Sequence, residues 1–148
     1  MMRQALADQA RSGARVGLGI GLNRLAEVQA LSGAKDEAMA TVEDALTANP
    51  QERVHRPESF RIRGQLHLEL GQFDSAETDF RTAISLAQEM GAKGWELRAS
   101  ASMARRHQAK GDPAAARDLL TPICSWFTES LDGRDLRDAK ALLGQLAG

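Results

Sequence analysis

Along most of this chain, apolar or small residues return at steps of three and four, with charged and amide residues between them. That period places the apolar positions on one face of an α-helix, whereas a half-buried strand would alternate every second residue. The clearest case lies near the end. There Leu136, Ala139, Leu142, Leu143 and Leu146 share one face, and Arg134, Asp135, Arg137, Asp138 and Lys140 stay wet. The same pattern predicts helices over about 3–11, 14–32, 35–48, 57–70, 73–90, 93–110, 113–130 and 134–146. Punctuation agrees with it. Asp112 and Pro113 form an N-cap and N1 pair, Pro57 suits N1 of an earlier helix, and Asn49-Pro50 ends the one before. Pro122 falls inside the seventh helix and removes a backbone donor, which predicts a kink or an early end.

The segments also repeat. Three of them carry Gly, then Ala five residues on, then an apolar residue four further, then a small or apolar one three further. They read Gly33, Ala38, Val42, Ala45; Gly71, Ala76, Phe80, Ala83; and Gly111, Ala116, Leu120, Ile123, at intervals of 38 and 40 residues. Seven residues before each Gly stands another small residue, Ala26, Gly64 or Ala104. The Gly ends a first helix where positive φ is required, and the Ala lets a second helix approach closely. The expected fold is therefore all-α. It is a right-handed α-α superhelix of three helical hairpins, about 14–48, 57–90 and 93–130, with a capping helix at 134–146, all in one domain spanning 1–148.

Composition supports this and narrows the function. There is no Tyr, with four Phe and two Trp, and Ala and Leu dominate, a bias toward helix formers over strand formers. The net charge is −1, from 19 basic and 20 acidic residues, so no global basic field exists to hold nucleic acid. Cys124 is the sole cysteine, which excludes an internal disulfide and a multi-Cys zinc site and fits a reducing compartment. The start Met1-Met2-Arg3-Gln4-Ala5 has no apolar stretch behind it, and no run of about 18 apolar residues occurs. The expectation is a cytoplasmic protein without a membrane partner.

The repeated Gly, Ala, aromatic or apolar, and Ala positions resemble the tetratricopeptide repeat (TPR), although that repeat is usually about 34 residues long and its first-helix Trp and Tyr are not kept here. From Pro57 the likeness is narrower. The stretches PESFRIRGQLHLELG, KGWELRASASMARRHQAKGDPAAARDLLTPI from Lys93 and WFTESLDGRDLRDAKALL from Trp126 are similar to the C-terminal repeats of large bacterial signalling ATPases. Those proteins are of the adenylate/guanylate cyclase-related and LuxR-type kinds. The likeness is close from Pro57 onward and loose before it. Where that family commonly has Gly-Phe after WFTE, this chain has Ser130-Leu131. The phosphate-binding loop, the paired metal-binding aspartates and the helix-turn-helix of those proteins have no counterpart here. The resemblance therefore implies a sensing or docking scaffold and does not imply ATP hydrolysis or cyclisation.

Candidate chemistry is sparse. The run Gly17-Leu18-Gly19-Ile20-Gly21 lacks the strand and the glycine spacing of a nucleotide-binding loop. Gly13, Gly17 and Gly21, four apart, instead make a shallow stripe, which either a neighbouring helix of the stack or a second copy in a homodimer would fill. His67 and His107 hold the same repeat position and read as packing residues, since no carboxylate or Cys stands at ligand spacing. His55 belongs to a loop between repeats. Cys124 reads as a buried structural thiol, and Trp95, Trp126 and Phe127 as staples between hairpins. No nucleophile, acid–base pair, metal site or cofactor motif stands out, so no enzyme activity and no cofactor are expected.

The inner face remains. In such repeats the first helix of each hairpin lines the concave side. Counting back thirteen, ten and six residues from each turn Gly gives Ile20, Asn23, Glu27; Glu58, Arg61, Gln65; and Arg98, Ala101, Arg105. Asn23, Glu27, Arg61, Gln65, Arg98 and Arg105 are the expected binding residues, and the arginines point to an acidic peptide or helix. The expected function is a non-catalytic protein–protein interaction module in a bacterial signalling or regulatory system. The alternative is a repeat domain that senses a small effector in the same concavity.

Overall fold

A computed structural model of the chain describes residues 18–47, 53–127 and 133–147. Among these residues there are seven α-helices and no strand: α1 (Leu18–Leu31), α2 (Lys35–Thr47), α3 (Arg56–Glu69), α4 (Phe73–Met90), α5 (Lys93–Ala109), α6 (Pro113–Trp126) and α7 (Arg134–Ala147). The helix expected over 3–11, Gly13, Gly17 and Ser130-Leu131 lie outside the described residues. The chain divides into two compact units, Met1–Asp79 and Phe80–Gly148, with the boundary inside α4.

In the first unit α1 packs on α2, α2 on α3, and α1 on α3; in the second α5 packs on α6, α6 on α7, and α5 on α7. Within each of these two sets of three, a helix touches the next and the next but one, the neighbour relation of stacked helical hairpins. The repeat positions explain why. Ala26, Ala38, Val42 and Ala45, then Ala76, Phe80 and Ala83, then Ala104, Ala116 and Leu120 are all wholly buried. Gly64 and Ile123 are buried too. One local core joins Ala26, Ala38, Val42, Ile62 and Leu66; another joins Leu97, Ala101, Ala104, Ala116, Leu120 and Ile123 to Leu136, Ala139, Leu142 and Leu146 of α7. Helix α7 covers the α5–α6 hairpin with its apolar side and leaves Arg134, Asp135, Arg137, Asp138 and Lys140 exposed, as its pattern predicts.

The turns are uniform. Gly71 has φ +77°, its N–H bonds to the Leu68 carbonyl at 3.1 Å, and the next N–H, of Gln72, reaches back to the His67 carbonyl at 2.8 Å. This pair of bonds is the Schellman closure of a helix. It recurs at Gly33 (φ +88°), at Gly111 (φ +83°) and also at Gly91 (φ +66°), a turn between hairpins that the template does not contain.

Helix starts and stops follow local chemistry. The Asp112 side chain accepts the Ala115 N–H at 3.1 Å, a true N-cap, with Pro113 first in α6. Helix α3 begins one residue earlier than its proline suggests: His55 is the N-cap, and Pro57 is the second helical residue. Helix α6 stops at Trp126, short of residue 130, four residues beyond Pro122. Phe127 then takes an extended backbone with ψ 136°.

Candidate functional site

Helices α1 and α3 border an open cleft of about 160 Å³ lined by Glu27, Ala30 and Leu31 on one side and by Arg61, Ile62, Gln65, Leu66 and Glu69 on the other. Three of the expected binding residues, Glu27, Arg61 and Gln65, therefore meet at one site. Its floor is apolar: Ile62 and Leu66 belong to the core below, and Ala30 packs against it. At the rim Leu31 is 89% exposed, and Gln65 and Glu69 are exposed as well.

The electrostatics differ from a basic groove. The Arg61 Nε donates to Glu58 Oε1 one turn earlier on α3, and its Nη2 lies 3.6 Å from Glu27 Oε2 on α1. Glu58 is 4% exposed, so this guanidinium serves a buried carboxylate of its own chain. Two carboxylates, Glu27 and Glu58, thus flank this guanidinium, and Glu69 adds a third acidic group to the cleft lining.

Asn23, counted among the inner-face residues, is 4% exposed and its amide faces inward. Its Nδ2 donates to the His55 carbonyl at 3.3 Å. Its Oδ1 accepts the Ser59 hydroxyl at 2.7 Å, with the His55 carbonyl a longer acceptor at 3.2 Å. His55 is itself 1% exposed, and its Nε2 lies 2.8 Å from the carbonyl of Ala45 near the end of α2. A carbonyl only accepts, so Nε2 carries the proton. Arg56 Nη1 donates to the next carbonyl, Leu46, at 2.9 Å. The two residues that open α3 thereby donate to carbonyls in the last turn of α2. The loop residue His55 is thus a structural centre, and Asn23 belongs to that centre and not to the cleft surface.

Arg98 and Arg105 lie in the second unit. The Arg98 Nε stands 3.6 Å from Asp135 Oδ2 of α7 and its guanidinium 6.0 Å from the Trp95 ring centre. Arg105 is exposed. Of the glycine stripe only Gly21 is described; it is half-buried on α1.

Arg63 on α3 grips Asp79 of α4 with Nε and Nη2 at 3.0 and 2.9 Å, reaches Glu43 of α2 with Nη1 at 3.0 Å, and lies 5.1 Å from the Phe60 ring centre. The hydrogen-bonded Asp79 carboxylate raises the guanidinium pKa further above its ordinary value, against the opposing effect of burial. His67 is half-buried, its Nε2 3.4 Å from Asp79 Oδ2 and its Nδ1 2.5 Å from Gln72 Oε1. Among the described residues no three His, Cys, Asp or Glu side chains cluster as a metal site would require. Cys124 is buried, and its desolvation pushes the thiol pKa up, with the Lys140 charge pulling the other way. Phe127 packs on the second core and meets Trp126 edge-on at 5.1 Å. Trp126 is 54% exposed beneath the Lys93 ammonium. No described helix is long and apolar enough to cross a membrane.

A family profile described as tetratricopeptide repeat matches residues 62–90. That stretch runs from within α3 to the end of α4, so it includes the Gly71 turn and the buried Ala76, Phe80 and Ala83. No curated protein matches the sequence at a significant level. The region is TPR-like, and the architecture is an all-α helical repeat.

Proposed function

We propose that this chain is a non-catalytic protein–protein interaction module of a bacterial signalling or regulatory system in the cytoplasm, and that a peptide segment of its partner seats in the α1–α3 cleft. The observation that carries the reading is that cleft: an apolar floor with polar side chains converging on it, between first helices of adjacent hairpins on a TPR-like scaffold. Stacked repeats use such surfaces to bind extended segments. The signalling context rests on the likeness of the sequence from Pro57 onward to the repeats of bacterial signalling ATPases. The effector-sensing alternative has less support, because about 160 Å³ is well below the roughly 300–1,000 Å³ of pockets that enclose small ligands.

A photo-crosslinking residue placed at Gln65, exposed in the cleft, tests the proposal in cells against the same residue at Lys140, exposed on α7. The expected result is a discrete protein adduct from position 65 that position 140 does not give and that Leu31→Asp abolishes. Adducts of equal yield from both positions, or none from 65, would end the reading.

A second reading, self-association, has its own observation. The stripe Gly13, Gly17, Gly21 continues seven residues on at Val28, which is 55% exposed, and Ile20 beside it is 39% exposed. Light scattering should find a homodimer that Val28→Asp dissociates; a monomer at all concentrations removes this contact.

A further inference from the structure

Building on the peptide-docking reading, we infer that the segment seated in the α1–α3 cleft is basic: an apolar side chain flanked by lysine or arginine. Counting residues suggests the opposite, an acidic ligand drawn by Arg61, but the geometry removes that option. Arg61 is held on one side by Glu58 and on the other by Glu27. An incoming carboxylate would have to share this guanidinium with two carboxylates already in place, one of them, Glu58, only 4% exposed. Their like charge opposes its entry, and an ion pair at an open rim returns little against that.

A cation meets the reverse situation. The Glu27 side chain is 41% exposed, and its contact with Arg61, at 3.6 Å, is long. Glu69 stands exposed at the far end of the cleft wall. It lies eight residues beyond Arg61 on α3, about 12 Å of helical rise. Apart from Arg61, which stands against Glu27, the lining between these two acidic ends is apolar groups and an amide: Ala30, Leu31, Ile62, Leu66 and Gln65. In an extended segment the span corresponds to cationic residues about three to four positions apart, with an apolar residue between them covering Leu31. Nucleic acid and anionic membrane surfaces would be repelled by the same rim.

The test is selection of a phage-displayed random dodecapeptide library on the intact chain. The recovered peptides are then measured against wild type and the double variant Glu27→Gln, Glu69→Gln. Both substitutions fall on exposed or half-exposed side chains, and an unchanged far-ultraviolet circular dichroism spectrum shows that the fold is kept. The expected outcome is enrichment of Lys or Arg on both sides of a Leu, Ile, Met or Phe. Affinity should fall about fivefold in the double variant and should fall as salt is raised. Enrichment of acidic peptides whose binding Arg61→Gln removes would overturn the inference while leaving the docking reading standing. Basic peptides that bind both proteins equally would overturn the assignment to this cleft. No enrichment over the naive library would overturn the docking reading as well.

Discussion

The imidazole of His55 lies over the Cα of Gly19, so close that a methyl group on that glycine would fall inside the ring's van der Waals envelope. The ring has little room to retreat, being 1% exposed and tied through Nε2 to the Ala45 carbonyl. A helical glycine is normally a weak point, and replacing it by alanine stabilises by about 0.5–1 kcal/mol. At residue 19 the sign should reverse. Gly19→Ala is expected to destabilise by about 1–3 kcal/mol through overpacking. Gly144→Ala provides the comparison, because that glycine is helical and exposed and nothing lies within 4 Å of its Cβ position. Urea unfolding of the two variants should move the midpoint in opposite directions; a shift of the same sign would mean that the ring does not rest on Gly19.

The Schellman turns give a second expectation. Space is not the constraint at Gly71, since a Cβ there would meet nothing within 4 Å; the constraint is φ +77°. Gly71→Ala should therefore lower stability by about 1 kcal/mol or more and the melting temperature by about 2–4 °C per kcal/mol. Gly71→Asn should recover part of the loss, because asparagine tolerates the left-handed region. Thermal melts that rank Ala above Asn would contradict the turn assignment.

These two glycines also show what the sequence makes legible. Gly71, Ala76 and Phe80 declare themselves at fixed spacing, because the steric demands of a helical hairpin are local and repeat with it. Ala38 and Ala116 land in the same fully buried state for the same reason. The cleft was half legible. Helical period places Glu27, Arg61 and Gln65 on facing sides, but it cannot say that His55, 32 residues from Asn23, will take up that amide. Nor does a count of arginines reveal pairing, although Glu58 three residues before Arg61 was a visible signal of it. Gly19, the glycine that permits a close approach, sits two residues from Gly21 and so on a different face of α1. What it meets is an imidazole from a loop, which no helical periodicity encodes.

Arg63 and Asp79 supply a third test. The pair is bidentate and Asp79 is 4% exposed, so removing one partner leaves a charge in a poor environment. Arg63→Leu, which leaves the buried Asp79 carboxylate without this guanidinium, should destabilise by about 2–4 kcal/mol. The double variant Arg63→Leu, Asp79→Leu should lose far less than the two single losses added together, because neither charge is then stranded. Strict additivity in chemical denaturation would show that the two side chains do not depend on each other.

The last expectation concerns pH. Burial raises the Cys124 thiol pKa in the folded chain, so the unfolded chain gives up this proton first as pH increases. The associated stability is fully present below the unfolded thiol pKa of about 8.5 and is lost as pH climbs through the higher folded value. Unfolding free energy should therefore slope downward above about pH 8.5 in the wild-type chain. Cys124→Ala should lower stability overall yet flatten that slope, since no thiol remains to titrate. The same burial predicts slow labelling: a disulfide reagent at pH 8 should modify the native thiol far more slowly than the urea-unfolded one. Equal labelling rates, or parallel pH curves for the two proteins, would place Cys124 at the surface instead of against Leu120, Ile123 and α7.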